Sequence, residues 1–346
     1  MRMTKWIAGI AAGLTGLALS TGAGAQQITL KLHHLLGLKA PAHTQMLEPW
    51  AQRIEKATNG KVKIDIYPAM SLGGKPPQLI SQARDGVVDI VWTVNGYTPG
   101  LFPRTEVFEL PFIHTNDPVA TNKAMYDMFE QDLAADFKGV KVLFLHVHAG
   151  QAIQMVDKEV RKPDDLKDLK LRIPTRTGAW IIEALGAAPV AMQVPDLPQA
   201  LSKKVVDGAL IPFEIIPAFK LQDMTDYQIE GADKSRFGTT TFQVSMNLKR
   251  WNSLPADVKK AFLDNSGPDW WAEVGRIWAG TEDVGIGIAT KAGNKHVKLD
   301  PDEMLAFRAK LEPVVQRWID EVKAKGIDGE KLVTKARALI TKYSTQ

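Results

Sequence analysis

The sequence predicts an α/β protein of two doubly wound lobes, joined by crossing strands and a long helix. Residues 28–94 and residues 170–211 each alternate strand and helix patterns in a β-α-β-α-β order. That order is typical of a mostly parallel sheet with helices on both faces. Two further predicted strands, 140–148 and 237–247, lie where the chain would cross between such lobes. With 346 residues, the chain is long enough to form two cores.

The chain begins with a segment typical of a secretory signal peptide. Two cations precede an apolar run from Trp6 to Leu19, and the small residues 23–25 follow it. We therefore expect residues 1–25 to be removed and the mature protein to be periplasmic. A membrane anchor is the alternative, but the run is short and rich in Gly and Ala. No later segment reaches about 18 apolar residues, so we expect a protein that does not span the membrane.

Composition argues against several function classes. After the two cations of the signal peptide are removed, 41 basic residues face 39 acidic ones. They are interspersed, which indicates neither a nucleic-acid surface nor a polybasic membrane patch. The absence of cysteine excludes disulfides, thiol nucleophiles and Cys-zinc sites. Neither a nucleophile elbow nor a phosphate loop is present. We therefore expect no enzyme, no metal ion and no cofactor.

The first lobe is predicted to comprise residues 26–149 and 236–276. Period-two alternation predicts its strands and apolar spacing of three and four predicts its helices. The predicted strands are 28–34, 62–67, 87–94, 140–148 and 237–247, and the predicted helices are 41–58, 76–85, 255–265 and 269–281.

Three residues near strand ends of this lobe are candidates for a ligand site, because ligands bind at such ends in open α/β sheets. His33 and His34 are neighbours in a strand, so only one can face a cleft, and we expect it to be His34. Trp92 is either a cleft residue or a core aromatic. Either Asn95 or Tyr97 offers a hydrogen bond, or the Asn95-Gly96 pair serves only the turn.

The second lobe is predicted to comprise residues 150–235 and 277–346, with the C-terminal helices packed on it. Its predicted strands are 151–156, 169–173, 189–194 and 208–211, and its predicted helices are 179–185, 198–203, 301–325 and 328–341.

Arg172 is the first candidate for binding an anion. Leu169, Leu171 and Ile173 share one face of a predicted strand, so Arg172 lies on the other, and Pro174 stops strand pairing beyond it. A guanidinium at a strand end can bind a carboxylate through two parallel hydrogen bonds. The alternative is an Arg on a solvated strand face.

Five motifs, in order along nearly the whole mature chain, resemble the periplasmic solute-binding subunits of tripartite ATP-independent periplasmic (TRAP) transporters. They are IYPAMSLGG at 66–74, DGVVDI at 85–90, LPF at 110–112, LKDLKLR at 166–172 and VDG at 206–208. The resemblance implies a periplasmic binding protein-like fold that binds a small organic acid by lobe closure and passes it to a membrane permease. It implies that Arg172 pairs with the ligand carboxylate and that Trp92 lines the ligand site. We expect a monomer.

The chain departs from the sialic-acid-binding members of that family at three positions. Ala152 stands where those members have a second Arg, Val194 where they have a Phe, and Ile211 where they have an Asn. Gln154, two residues from Ala152 on the same face, can give only a neutral hydrogen bond. These changes favour a monocarboxylate with an apolar body, such as an aromatic or 2-oxo acid.

Alternatives remain open for the two residues after the strand that ends at Ile211. Phe213 either walls an aromatic slot or caps the core, and Glu214 either accepts a hydrogen bond from a ring hydroxyl or pairs with a surface Lys. A C4-dicarboxylate is the alternative ligand if Arg176 or a histidine supplies a second cation. A sensor-linked binding protein and a periplasmic hydrolase are the alternative functions.

Overall fold

The computed structural model describes residues 27–344, and within them the chain forms two mixed sheets with helices on their faces. This confirms the predicted fold class. The predicted signal peptide lies outside the described residues. The eleven strands of this part are β1 (Ile28–His34), β2 (Val62–Tyr67), β3 (Ile90–Val94), β4 (Val140–Val147), β5 (Ala152–Met155), β6 (Lys170–Ile173), β7 (Ala188–Ala191), β8 (Gly208–Ile211), β9 (Tyr227–Gly231), β10 (Thr241–Asn247) and β11 (Lys295–Leu299).

The α-helices of residues 27–344 pack around these sheets. They are α1 (Glu48–Ala57), α2 (Leu79–Asp85), α3 (Pro118–Met128), α4 (Arg176–Ala184), α5 (Leu197–Ser202), α6 (Ile216–Phe219), α7 (Leu248–Ser253), α8 (Ala256–Asn265), α9 (Pro268–Lys291), α10 (Pro301–Lys323) and α11 (Gly329–Ser344). A π-helical turn, Ala42–Leu47, precedes α1 within the helix predicted at 41–58. No helix in residues 27–344 is long and apolar enough to cross a membrane.

The first sheet has the strand order β2-β1-β3-β10-β4 and forms the core of the first lobe. β1 pairs in parallel with β2 and β3, whereas β10 runs antiparallel to both β3 and β4. β3 starts at Ile90 rather than at Val87, because Gly86 adopts a left-handed conformation with φ +77° and ends α2 in a turn. Because β1 and β3 are parallel, their carboxyl ends lie at one edge of the sheet. The antiparallel strand β10 begins at the same edge.

The second sheet has the order β11-β9-β5-β8-β6-β7 and forms the core of the second lobe. β6, β7 and β8 pair in parallel, as their β-α-β-α-β order predicts, and β5 runs antiparallel to β8 and β9. In the register of β5 and β8, Ala152 lies opposite Ile211. The start of β5 and the ends of β6 and β8 thus share one edge of the sheet.

Two crossing segments connect the lobes side by side. One runs from β4 to β5 and the other from β9 to β10, and they exchange backbone hydrogen bonds from Gln151 to Gly238 (2.8 Å) and from Phe237 to Gln151 (3.0 Å). Two paired crossing strands make a natural hinge.

The helix α9 packs against both lobes. A Cβ atom at Gly275 would lie 2.6 Å from the backbone of Val119 in α3, and one at Gly285 would overlap the backbone of Phe213 after β8. These close approaches require glycine at both contacts. The long helix therefore spans the lobe boundary, farther than the predicted 269–281.

The C-terminal helices divide between the lobes. α10 packs against α4 of the second lobe, whereas α11 packs against α3 of the first. Lys335 of α11 pairs with Asp132 just after α3 at 2.6 Å. The prediction that the whole tail packs on the second lobe is therefore wrong for α11, because its apolar stripe meets α3, a helix that the sequence analysis missed.

Candidate ligand-binding cavity

A cavity lies between the facing edges of the two sheets. Small-molecule sites occur preferentially at such boundaries between domains. The first lobe contributes Trp92, Tyr97 and Phe242 to its walls, and the second contributes Arg172, Val194 and Ile211. Most of the remaining walls are aliphatic, so the cavity offers a largely apolar surface with a few polar groups.

Arg172 enters the cavity from β6 and is only 3% exposed. Its Nε donates to the carbonyl of Met192 at 3.1 Å and its Nη1 to that of Leu210 at 3.3 Å, which fixes the plane of the guanidinium. Burial lowers the pKa of Arg172, but an arginine remains charged in proteins. None of the ion pairs formed within residues 27–344 includes it. The cavity therefore holds a buried cation without a carboxylate partner.

Tyr97 links the two lobes beside Arg172. Its hydroxyl accepts a hydrogen bond from the backbone N–H of Val194 at 2.9 Å, and Arg172 also interacts with it. Burial raises the pKa of Tyr97, so the phenol stays neutral. A first-lobe side chain thus closes the cavity against the second lobe.

Parallel aromatic rings form one wall of the cavity. The rings of Trp92 and Phe242 are 5.3 Å apart at 6° between their planes, and those of Phe242 and Trp278 are 6.2 Å apart at 11°. His146 stacks behind Phe242 at 4.7 Å and accepts the indole N–H of Trp92 on its Nε2 at 2.8 Å. This hydrogen bond and the stacking hold the rings in place, so aromatic side chains form a fixed wall of the cavity.

His148 lines the cavity as a neutral group. Burial is the main cause that lowers the pKa of His148 to about 4, and the charge of Arg172 adds to it. Its Nδ1 contacts the carbonyl of Ala149, which requires the proton on that nitrogen. His148 therefore supplies no second cation for a ligand.

Three buried polar atoms around the cavity lack a partner among residues 27–344: Oε2 of Glu214, Oε1 of Gln151 and Nε1 of Trp278. Glu214 is held by its backbone, because Glu282 of α9 accepts the N–H groups of Phe213 at 3.1 Å and of Glu214 at 3.0 Å. Burial, with the neighbouring Glu282, raises the pKa of Glu214 well above its ordinary value. Burial and the neighbouring Glu282 therefore favour the protonated form of Glu214.

The structure brings four of the eight predicted site residues together on the cavity: Trp92, Arg172, Ile211 and Glu214. The solvated-face alternative for Arg172 is wrong, because the side chain is buried. The surface-Lys alternative for Glu214 is also wrong, because none of the ion pairs in the described part of the chain includes it.

The other four predicted site residues do not line the cavity. His34 contacts His43 through its Nε2 at 2.9 Å, and Asn95 donates to Thr241 at 3.2 Å. Burial, with His43, lowers the pKa of His34 to about 3.

Gln154 and Phe213 lie behind the strand edge. Gln154 donates to the carbonyl of Pro212 at 3.1 Å, and the ring of Phe213 lies 4.7 Å from the guanidinium of Arg236.

Sequence reasoning passed over Gln151, Phe242 and Trp278, and it weighed Tyr97 but preferred Asn95. Phe242 begins β10, and the prediction of residues 237–247 as a crossing strand was a signal that could have placed it at the cleft. Trp278 lies in α9, which spans the lobe boundary, and it lines the cavity.

A second set of contacts joins the lobes outside the cavity, at the start of α4. Arg176 binds Glu106 through Nε to Oε1 at 2.7 Å and through Nη2 to Oε2 at 2.5 Å. Thr177 donates to Glu109 at 2.8 Å. We call these two contacts the closing latch. Because Arg176 is held there, it does not supply a second cation to the cavity.

The family model described as "Bacterial extracellular solute-binding protein, family 7" matches residues 32–321. Among solved structures, a TRAP solute-binding protein from a marine metagenome is 39% identical with a TM-score of 0.89, covering 92% of this chain and 99% of its own. It is described as specific for aromatic acid ligands and holds metahydroxyphenylacetate.

Two further relatives cover the same span. A TRAP solute-binding protein from Rhodoferax ferrireducens, solved with copurified benzoate, is 38% identical with a TM-score of 0.89, covering 92% of this chain and 99% of its own. The C4-dicarboxylate-binding periplasmic protein DctP of Rhodobacter capsulatus is 26% identical over 349 residues, covering 96% of this chain and 99% of its own.

Proposed function

Because this chain belongs to the bacterial extracellular solute-binding proteins of family 7, we propose that it binds a monocarboxylate with an aromatic body in the cavity between its lobes. Membership in a family of transport binding proteins also confirms the prediction that the chain is not an enzyme. Such proteins work with membrane permease subunits, and we propose that closed, ligand-loaded protein is the form that the permease receives.

The observation that carries the proposal is the unpaired charge of Arg172. An isolated buried charge is costly unless a counter-ion and hydrogen bonds compensate it. Its Nε and Nη1 donate to backbone carbonyls and the guanidinium also interacts with the hydroxyl of Tyr97, but these neutral partners leave its charge uncompensated. A ligand carboxylate is the natural counter-ion for a guanidinium.

The walls favour an aromatic body for that ligand. Trp92, Phe242 and Trp278 contribute three aromatic rings to the cavity wall, and aromatic pairs gain about 0.5 to 1.5 kcal/mol beyond their area burial. The ligands of the two structural relatives, metahydroxyphenylacetate and benzoate, each combine one carboxylate with one ring.

A second carboxylate would find no cation in the cavity. Arg172 is the one Lys or Arg that lines it in the described part of the chain, His148 is neutral, and Arg176 is held by Glu106. For this reason the C4-dicarboxylate alternative is not supported by the geometry.

We propose further that the mature protein is periplasmic, begins near Gln26 after signal-peptide removal, and is a monomer. The apolar run before Gln26 supports the first part. Mass spectrometry of the exported protein and its sedimentation would test these two statements separately.

A thermal-shift screen tests the ligand class. It should hold benzoates and phenylacetates, 2-oxo acids, C4-dicarboxylates and sugar acids at equal concentration. We expect the largest rise in Tm with an aromatic monoacid, because binding only the folded state stabilises it by mass action. A strong shift with succinate or a uronate and none with any aromatic acid would refute the proposal.

A further inference from the structure

We propose that Glu214 and Gln151 form a second polar subsite in the cavity, which selects acids that carry a hydroxyl group on the ring, away from the carboxylate. This inference rests on the proposed function and adds to it the substituent that the ligand must have. It stands on two buried side chains that line the cavity and that each have a polar atom without a partner among residues 27–344.

The orientation of the Gln151 amide is fixed by its other contacts. Its Nε2 donates to the carbonyl of Thr239 at 3.2 Å and to the hydroxyl of Thr240 at 2.7 Å. A carbonyl oxygen only accepts, so the amide nitrogen must lie on that side. The oxygen is therefore left over as a hydrogen-bond acceptor, in a side chain that is 2% exposed.

Glu214 supplies the complementary donor. Its side chain is 4% exposed, and none of the arginines or lysines of residues 27–344 pairs with it. Burial is the main cause that raises the pKa of Glu214, and it favours the protonated carboxyl, which can donate a hydrogen bond. A ligand hydroxyl both donates and accepts, and it could therefore satisfy Gln151 and Glu214 together.

The sheet places this subsite away from Arg172. β5 and β6 flank β8 on opposite sides, and Gln151 precedes β5 whereas Arg172 lies in β6. Two strand spacings separate them, or about 10 Å between backbones. Glu214 follows β8 and is tied by its backbone N–H to Glu282 of α9, four residues after Trp278. If the ligand carboxylate binds Arg172, a substituent on the far side of the ring would thus point toward the subsite formed by Glu214 and Gln151.

The experiment measures binding by calorimetry for three acids of matched shape: benzoate, 3-methylbenzoate and 3-hydroxybenzoate, with 4-hydroxybenzoate to cover the other ring position. We expect the unaltered protein to bind one of the hydroxy acids at least about tenfold more tightly than its unsubstituted or methyl analogue. The methyl acid fills the same space without a hydrogen bond, so it separates polar recognition from shape.

Variants locate the effect. Glu214→Met and Gln151→Met should each reduce the hydroxyl preference to about threefold or less, whereas Glu214→Gln, which keeps a donor and an acceptor, should retain most of it. Gln154→Met is the matched control, because Gln154 is also buried with a free Oε1 but does not line the cavity. It should leave the preference unchanged.

Two outcomes would overturn the inference, and they are distinguishable. Equal binding of hydroxy and methyl acids by the unaltered protein, or an unchanged preference in Glu214→Met, would refute the subsite and leave the aromatic monocarboxylate proposal standing. Absence of binding for all four acids would refute the proposed function and the subsite with it.

Discussion

Arg176 of the second lobe binds both carboxylate oxygens of Glu106 in the first lobe, with Nε to Oε1 at 2.7 Å and Nη2 to Oε2 at 2.5 Å. The pair lies outside the cavity, and the indole of Trp318 also donates to Glu106 at 3.1 Å. A contact that exists only between the lobes favours the closed form without touching the ligand. Its free energy is therefore part of the binding free energy.

Arg176→Ala should weaken ligand binding by about five- to thirtyfold, because a charge-assisted pair contributes roughly 1 to 2 kcal/mol to closure. Calorimetry gives the affinity, and solution scattering gives the radius of gyration, which should fall on binding in the unaltered protein as the lobes close. In the Arg176→Ala variant, a higher ligand concentration should be needed to reach the same fall in the radius of gyration.

The matched control is Arg317→Ala. Arg317 stacks on the ring of Trp180 at 4.6 Å, as Arg176 does at 4.9 Å, but it pairs with Glu183 inside the second lobe. It should leave affinity and scattering unchanged. Equal losses in both variants would show that the latch acts through Trp180 packing rather than through closure.

Arg172 should be the anchor of the ligand carboxylate. Arg172→Ala should cost about 1.5 to 3 kcal/mol of binding free energy, the range for hydrogen bonds to charged groups. Arg172→Lys should recover only part of it, because an ammonium cannot reproduce the planar fork. Calorimetry against the best acid of the screen is the measurement. A loss below about 1 kcal/mol for both variants would place the anchor elsewhere.

The position of Arg172 was predictable because it depends on local alternation. Leu171 and Ile173 face the core of the second lobe, so Arg172 had to face the other way, at a strand end. Its burial was not predictable, since that depends on Tyr97 and Val194 closing over it from two parts of the chain.

Other parts of the site depend on turn geometry and on long-range packing. A single 3₁₀ turn, Asn95–Tyr97, turns the Asn side chain inward to Thr241 and leaves Tyr97 to reach the second lobe, and both residues suit such a turn. The sequence did not predict α3, because this helix buries polar residues such as Asn122 beside apolar ones. The apolar residues alone therefore do not recur with helical spacing. Its start did carry a signal, since Asp117 caps the helix before Pro118.

Buried histidines should make the protein acid-sensitive. Burial is the main cause that lowers the pKa of His34, His114 and His146 to about 3 and that of His148 to about 4. Below the ordinary His pKa of 6.5, the unfolded chain binds protons that the native one does not. The free energy of unfolding should therefore fall as the pH drops from about 6.5 toward 4.

Single variants separate the contributions to this pH dependence. His114→Gln should reduce the slope of the free energy of unfolding against pH by up to one proton, or about 1.4 kcal/mol per pH unit.

Glu109 acts in the opposite sense. Burial, with Glu106, raises the pKa of Glu109 to about 7, so the native state holds its proton while the unfolded state releases it above pH 4.5. Glu109→Gln should steepen the dependence between pH 4.5 and 7. Urea denaturation at several pH values measures both, and equal slopes in all three proteins would contradict the assignment.

Two buried arginines should respond in opposite ways to the same substitution. Arg172 and Arg236 are each 3% exposed, but Arg236 pairs with Glu230 and Glu282 at 2.7 Å each, whereas Arg172 pairs with no carboxylate of residues 27–344. Arg236→Met leaves the buried Glu282 without its cation and Glu230 with only His296 as a partner, and it should lower the free energy of unfolding of the unliganded protein by about 3 to 5 kcal/mol. Arg172→Met removes a lone buried charge, so the free energy of unfolding should stay the same or rise by up to about 2 kcal/mol, while the ligand-induced rise in Tm disappears. Urea unfolding without ligand gives both values. If Arg172→Met lost as much stability as Arg236→Met, the guanidinium would be a structural group of the second lobe, and the case for Arg172 as a carboxylate-binding residue would fail.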